Sequence, residues 1–551
     1  MFTITREVTV AAGVYAPGHL GELTQYLPFE VVDDVLEQTK AVQRRLRDLP
    51  SRVGVYFTLA LGLFPGLGYA RVWQKLTAGL TGVGGVAVVC PSEKALRDLR
   101  RRLGPAPLKA LFEVVAGPLA QPRTPGVRFR GLRTVAFDGC NSIKVPDTDR
   151  NRSWLGRIRY RVGWAGYPTL RLMTLVETGT RGLIGATLGG ANDRDEPTQA
   201  RRLLGLLGPD MLVLLDRGFD GNALFTEVTN TGAKLLARCK STRNPPVLAH
   251  LSDGSYLSCM DGLPVRIIEA DLTVTGADGS HVGDRYRLVT TLTDHHRFPA
   301  ADLINLYHER WEIESAYLAL RHTLLDGHVL RSGDRPGLEQ ELWALLTVYQ
   351  LLRMAMVTAV ETRPGTNPDR ASFTTARETA REELTAARGI YPDTPADLPG
   401  HPPGDLPGVI GRAVLATLLP KRRPRYSARK VKCPISRYGY LDHHDTRPAT
   451  ATPITAIDIA VYTPPIDQHL DQHRHQPRRP RRDPTRPRTH TRRHRITELM
   501  NTDPGRAWTG TELAQHLQVP PRNMLTQLAE WTRHGHLTRT GTGTYKLATP
   551  P

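Results

Sequence analysis

Apolar residues recur at helical spacing through residues 1–125, most clearly from Pro28 to Thr39 and from Ser51 to Leu63, with Ser51 and Ser92 placed as N-caps. From Thr134 the spacing shortens to alternation and β-branched residues take over. Thr134–Phe137, Thr169–Val176 and Gly182–Leu188 read as three successive strands. A helix then spans about Pro197 to Leu207. The short apolar run Met211–Leu215 follows as a buried strand, then a helix near Asn222–Thr229 and a strand at Ala233–Arg238. The predicted order is β-β-β-α-β-α-β.

Residues 240–298 read as further strands, with turns at Asp253-Gly254 and Asp278-Gly279. A long helix is predicted from near Pro299 to about Leu325, and a second from Glu339 to Val360. Beyond Pro364 the chain turns to Pro, Thr, Asp and Arg. Order is expected at Ser372–Ala387 and Val409–Leu419, with 388–408 a loop. Residues 441–494 read as a basic, disordered linker. Over 464–494 in particular almost nothing apolar is available to offset ordering entropy. Helical spacing returns at Ile496–Asn501, Thr511–Leu517 and Arg522–His534, ahead of two strand-like pieces in Leu537–Leu547. Helix, helix, helix, hairpin is the outline of a winged helix over 495–551. No internal repeat is present.

Composition narrows the partner. The 551 residues carry a formal charge of +19, with arginine dominating the surplus. That balance favours a polyanion, nucleic acid ahead of an anionic membrane surface, because neutralising phosphates releases counterions. The five cysteines are scattered without CxxC spacing, so neither a zinc site nor a disulfide framework is indicated, and a reducing cytoplasm fits. The N-terminus MFTITREVTV has no signal-peptide pattern. Val53 to Ala70 is uncharged and long enough to raise a membrane span. Pro65 and several glycines divide it, so it reads as two buried helices joined at Phe64-Pro65-Gly66.

Candidate chemistry sits at strand ends. Asp138 closes the strand Thr134–Phe137 and is followed by Gly139, where the backbone is expected to turn. Asp216 closes Met211–Leu215. Carboxylates at C-terminal strand ends point into the crevice where α/β sheets bind ligands. Either alone also suits a cap or turn, and Asp147 and Asp149 are rivals to Asp138. On the helix starting near Pro299, Tyr307, Arg310, Glu314 and Arg321 fall within an arc of roughly 60°. Leu303, Leu306, Ile313, Tyr317 and Leu320 form an apolar stripe about 80° round the helix. The order of elements is the ribonuclease-H-like arrangement, whose first and fourth strands lie side by side and bring the two aspartates together. Carboxylates suit Mg²⁺, a hard cation, and two Mg²⁺ ions about 3.5–4 Å apart activate an oxygen nucleophile and stabilise a leaving oxygen at a phosphodiester.

Leu306-Tyr307-His308-Glu309-Arg310-Trp311-Glu312-Ile313-Glu314 resembles the Y-x2-R-x3-E-x6-K signature of the insertion-sequence-four transposases. Asp138-Gly139 is similar to their first acidic motif and Asp216-Arg-Gly-Phe to their second. The likeness runs from about 20 to 440 and takes in Val72-Trp73-Gln74-Lys75-Leu76 and Leu235-Leu-Ala-Arg-Cys-Lys-Ser. It implies an α/β, ribonuclease-H-like catalytic core over 126–440 with a β-rich insertion at about 240–298, behind a helical N-terminal DNA-binding domain over 1–125. It implies cut-and-paste transposition by a cytoplasmic, nucleoid-associated enzyme. Asp138, Asp216 and Glu314 would hold two Mg²⁺ ions, with Mn²⁺ able to substitute. Tyr307 and Arg310 would hold a DNA phosphate. Glu309 and Glu312 compete with Glu314, which alone has the signature's spacing. Arg321 stands where the signature has lysine, a planar fork in place of a compact donor. Cys140 stands where a small hydroxyl residue is usual.

Further DNA contacts are expected from the cationic run containing Lys421, Arg422, Arg423, Arg425, Arg429 and Lys430 around Tyr426, and from Arg522, Asn523, Gln527 and Arg533 on the recognition helix of the winged helix. Expected partners are the terminal inverted repeats of an element and its target DNA, held by a homodimer, with no membrane involved. An inactive or domesticated transposase that only binds DNA is the alternative.

Overall fold

The computed structural model describes residues 18–45, 48–80, 88–157, 159–160, 163–190, 195–240, 242–279, 281–309, 317, 319–386, 407–420, 425–426, 452–465, 492–519, 521–533, 535–541 and 543–548. The chain divides into two compact units, Met1–Asp467 and Gln468–Pro551.

In the first unit five helices lead: α1 (Phe29–Gln38), α2 (Ser51–Leu63), α3 (Tyr69–Thr77), α4 (Glu93–Leu103) and α5 (Ala106–Val115). The Ser92 hydroxyl accepts from Ala95 N at 3.2 Å and so caps α4 as expected. The uncharged stretch does break after Leu63 into α2 and α3. The strands begin with β1 (Arg128–Phe129), β2 (Leu132–Lys144), a small hairpin of β3 (Arg159–Tyr160) and β4 (Gly163–Trp164), then β5 (Thr169–Glu177) and β6 (Leu183–Gly189). Helix α6 (Asp149–Leu155) precedes the hairpin. Next come α7 (Glu196–Arg201), β7 (Met211–Leu215), α8 (Asn222–Asn230) and β8 (Lys234–Arg238). The strands β9 (Ala249–His250), β10 (Tyr256–Met260), β11 (Leu263–Gly276) and β12 (His281–Thr290) precede α9 (Ala300–Glu309), α10 (Arg335–Glu361), α11 (Phe373–Thr385), α12 (Gly408–Ala416), β13 (Arg425–Tyr426) and β14 (Thr452–Tyr462).

One sheet runs in the order β13-β14-β11-β12-β8-β7-β2-β5-β6. Its right-hand part has the order the sequence predicts: β2 runs antiparallel to β5 and parallel to β7, and β7 runs parallel to β8. The β-rich insertion does not fold apart, because β12 pairs with β8 and extends the same sheet.

Both faces of the central strands are covered. Ala136, Cys140, Leu212 and Leu214 face a large helical core, while Val135, Phe137, Val213 and Leu215 face a second core with α7 and α8. A strand buried on both sides reads as an unbroken apolar run, which is why Met211–Leu215 stands out in the sequence. Helix α10 runs through the larger core; among the described residues it is long and apolar enough to cross a membrane, but nearly all of it is buried against protein.

Side chains from Leu20 to Val115 share one hydrophobic cluster with α10 and β2. Three expectations need correction. The stretch 441–494 contains β14, paired with β11 from Glu269↔Tyr462 onward; Ile457, Ile459 and Val461 supply the alternation that its Pro- and Thr-rich surroundings obscured. The strand does not turn at Gly139 but continues to Lys144. The predicted helix from Pro299 is described as α-helical over Ala300–Glu309 and at Tyr317, but Ala319–Leu324 is a π-helical turn, so a uniform 100° per residue does not carry as far as Arg321.

The second unit contains α13 (Arg492–Asn501), β15 (Trp508–Thr509), α14 (Gly510–His516), α15 (Pro521–Arg533), β16 (Leu537–Gly541) and β17 (Thr544–Leu547), with strand order β15-β17-β16. Ile496, Leu513, Met524, Leu528, Leu537 and Tyr545 make its core, and Thr509 and Glu512 close a capping box on α14.

Helix α4 is tied to α10 by Arg100, whose buried guanidinium pairs with Glu341 at 3.2 Å and donates to Gln340 Oε1 at 2.9 Å. Removing one partner leaves the other charge buried. Arg100→Met should therefore cost about 3 kcal/mol of stability, read from chemical denaturation of the full chain.

Candidate active site

The parallel pairing of β2 with β7 ends at Ala136↔Leu214. Carried on by two residues, the same register sets Asp138 beside Asp216. Strand alternation then puts both side chains on the face of Ala136 and Leu214, the face of the larger core. Leu303, Ile304 and Tyr307 of α9, and Tyr317 beyond it, belong to that same core.

Each aspartate is held locally. Gly139 N donates to Asp138 Oδ1 at 3.0 Å, and Gly218 N donates to Asp216 Oδ1 at 2.7 Å. Behind Asp216, Phe219 is buried 6.3 Å from the Phe137 ring, and Asp220 pairs with Arg243 at 2.6 Å and accepts from Lys240 N at 2.8 Å. The loop after β7 is thus fixed at both of its ends.

Two tyrosines reach the same strand ends. Tyr307, 2% exposed, donates its hydroxyl to the Leu215 carbonyl at 3.1 Å and packs edge-on against Tyr286. Tyr317 donates to the Asp138 carbonyl at 2.6 Å, and its oxygen lies 2.7 Å from Thr174 Oγ1. Because the Tyr317 proton is given to Asp138, Thr174 is the donor to Tyr317. Burial first, and then the negative charge of Asp138, hold the Tyr317 hydroxyl well above the usual phenol range, so it stays a donor.

A further carboxylate approaches from the opposite face. Glu196, at the start of α7, accepts from Asn141 Nδ2 at 3.3 Å. A Cβ on Gly139 would lie 2.5 Å from Glu196 Oε1, and one on Gly218 would lie 3.7 Å from Oε2 and 2.9 Å from Asp216 Oδ1. A side chain at Gly139 would press on the Glu196 carboxylate and one at Gly218 on the Asp216 carboxylate, so each would have to shift. Glu196 and Asp220 escaped the sequence reading, and Tyr317 entered it only as a member of the apolar stripe. The glycines following both aspartates were the available signal for a crowded backbone, though nothing local pointed to Glu196.

Among the predicted site residues, the strand register brings Asp138 and Asp216 together, while Arg321 is half-buried in the π-helical turn Ala319–Leu324. Tyr307 is a correction. Its hydroxyl is directed at Leu215 from inside the core, not outward to a DNA phosphate. Asp147, the rival to Asp138, pairs instead with Arg152 at 2.7 Å. Arg310 and Glu314 lie outside the described residues, as do the rival Glu312 and Lys421, Arg422, Arg423, Arg429 and Lys430. Arg425 is placed by backbone alone in β13, and Arg522, Asn523 and Arg533 by backbone alone in α15, where Gln527 is half-buried. Among the described residues, no three His, Cys, Asp or Glu side chains converge closely enough to hold a metal ion. The two aspartates at the strand ends offer carboxylate oxygens, donors that suit a hard divalent cation.

Comparison with known proteins agrees with this geometry. Residues 17–113 match the insertion element 4 transposase N-terminal family, and residues 131–351 match the transposase DDE domain. Together these cover more than half of the chain. The chain belongs to the insertion-sequence-four family of DDE transposases. Transposase InsG for insertion sequence element IS4, of Escherichia coli (strain K12), is 27% identical over 316 residues, covering 55% of this chain and 69% of that protein. A cryo-EM structure of the piggyBac transposase synaptic complex with hairpin DNA is 11% identical. It covers 69% of this chain and 86% of that one at a TM-score of 0.34, too distant to argue from.

The protein is therefore an insertion-sequence transposase, an enzyme that acts on DNA. Transposase DDE domains work with divalent metal ions. The turn at Gly218 holds the Asp216 carboxylate through the Gly218 N–H. Gly218→Ala should lower DNA strand cleavage about 10-fold, while an exposed position keeps the melting temperature within about 2 °C of the parent. Cleavage kinetics beside a thermal melt check both halves.

Proposed function

We propose that the transposase moves its element by cut-and-paste transposition, with Asp138, Asp216 and Glu314 as the carboxylates that hold its metal ions. The register of β2 against β7 supports this most, since it sets two aspartates side by side on the face where α9 and Tyr317 pack. The described flanks of Glu314 reach both strand ends, Tyr307 at Leu215 and Tyr317 at Asp138.

Asp138, Asp216 and Glu314 would hold two Mg²⁺ ions, for which Mn²⁺ can substitute. Bound there, the ions would supply an activated oxygen nucleophile and neutralise charge on the leaving oxygen. The protein's own part is positioning and charge. Gly139 N and Gly218 N orient the aspartates, and Arg310 and Arg321 bind the phosphate being cut. Water attacks the phosphodiester at the element end and the bond to the 3′ oxygen breaks; the freed 3′-hydroxyl then attacks a target phosphodiester, whose own bond to its 3′ oxygen breaks and releases a target 3′-hydroxyl.

Lys421, Arg422, Arg423, Arg425, Arg429 and Lys430 track phosphates sequence-independently, as does the helical N-terminal segment. The second unit acts as a winged helix, with Arg522, Asn523 and Gln527 on α15 reading the terminal inverted repeats. Its three helices and three-stranded sheet support that assignment. Two copies pair the element ends, and the enzyme works on the nucleoid in the cytoplasm.

Asp138→Ala, Asp216→Ala and Glu314→Ala should each reduce Mg²⁺-dependent cleavage of an element-end duplex by about a thousandfold or more. Gel-shift affinity for that duplex should stay within about twofold. Mg²⁺-dependent cleavage retained in the Glu314 variant would remove it from the triad.

A further inference from the structure

We infer that Glu196 is a positioning residue for the transposase reaction, a carboxylate whose charge draws the divalent cation to Asp138 and Asp216 without binding it. The inference rests on the proposed metal-holding role of those two aspartates.

Glu196 is the first residue of α7, and Asp195 ahead of it caps that helix by accepting from Thr198 N at 3.1 Å. Asn141 Nδ2, farther along β2, donates to Glu196 Oε1 at 3.3 Å and so holds that oxygen over the strand. The same oxygen lies 2.5 Å from where a Cβ on Gly139 would stand, and Oε2 lies 3.7 Å from the corresponding point on Gly218. These are the two glycines that hold the aspartates. Gly139 N donates to Asp138 Oδ1 at 3.0 Å, and Gly218 N donates to Asp216 Oδ1 at 2.7 Å. One carboxylate therefore stands beside both supports of the aspartate pair.

The sheet separates Glu196 from the aspartates only thinly. Gly139 places no side chain between them, and the Cβ position of Gly218 is 2.9 Å from Asp216 Oδ1 as well as near Glu196. The charge is felt on the far face. Burial first, then Asp138, and after these Glu196, push the Tyr317 hydroxyl up, although Tyr317 packs in the larger core.

Coulomb energy falls only as the inverse of distance, so a carboxylate need not touch a divalent cation to favour it. Three like charges gathered in a half-buried place repel one another, and a cation that arrives there relieves all three. Glu196 is itself half-buried, which limits screening by water and salt. A carboxylate present only to suit the N-terminus of α7 would need neither the Asn141 bond nor two glycines to make room for it.

The test is Mn²⁺ binding to the full chain without DNA, read as free Mn²⁺ by electron paramagnetic resonance beside a thermal melt. Glu196→Gln keeps the shape and an oxygen for Asn141 but removes the charge. It should weaken Mn²⁺ binding about 10-fold and leave the melting temperature within about 2 °C of the parent. Asn141→Ala, at an exposed position, removes the donor that holds Glu196 and should weaken binding about threefold. Glu227→Gln removes a carboxylate from the ion pair with Arg201 and should leave the affinity unchanged. Unaltered Mn²⁺ affinity in Glu196→Gln, with Asp216→Asn weakened, would overturn the role of Glu196 alone. Where Glu196→Gln does not fold, parental affinity in Asn141→Ala overturns that role instead. Unaltered affinity in Asp138→Asn and Asp216→Asn as well would overturn the metal assignment and the role of Glu196 with it.

Discussion

The parallel pairing of β2 with β7 is the constraint on which the catalytic unit depends. Parallel neighbours need a crossover between them, and here β5, β6 and α7 provide it. A pair so placed is stable only when both faces are covered, and both are. Alternate residues of each strand enter different cores, Leu212 and Leu214 one, Val213 and Leu215 the other. A slip of one residue would exchange the two sets and turn Asp216 away from Asp138. The hydrophobic cores therefore set the distance between two carboxylates that belong to neither.

The same reasoning explains what the sequence made legible. Met211–Leu215 was read to the residue because burial on both faces leaves an apolar run bounded by Asp210 and Asp216. The adjacency of Asp138 and Asp216 followed from element order. Non-local pairing is harder to see. Strand β14 lies almost two hundred residues from the β11 residues it joins, and its proline-rich surroundings resemble those of a linker. The π-helical turn at Ala319–Leu324 leaves no mark on composition, so a helical wheel drawn through it gains a phase error.

The site was legible in its charges and opaque in its supports. Aspartates at strand ends announce themselves by position. Tyr307 was assigned to the polar stripe, but a tyrosine carries both an apolar ring and a polar tip, and periodicity does not say which end governs. In the structure the ring is core and the hydroxyl serves the backbone. Glu196 is opaque for a different reason: it reaches Gly139 and Gly218 from a helix on the far face of the sheet. Only the folded sheet brings them together. The general point is that ligands can be read from local pattern, while the groups that orient them come from wherever the fold happens to pass.

The two departures from the family signature now carry different weight. Cys140 follows Asp138 by two residues, so its side chain falls on the same face of β2, but it is buried with the core and not turned to the crevice. Burial pushes its thiol up, opposed in part by Ser142 and Arg321. It therefore stays neutral. Arg321 is the consequential change. It lies in the π-helical turn, half-buried, with its charge felt at Cys140 two residues from Asp138. A π-turn displaces the residues that follow it relative to a straight helix. An arginine, longer and forked, spans a different distance to a phosphate than the lysine of the signature.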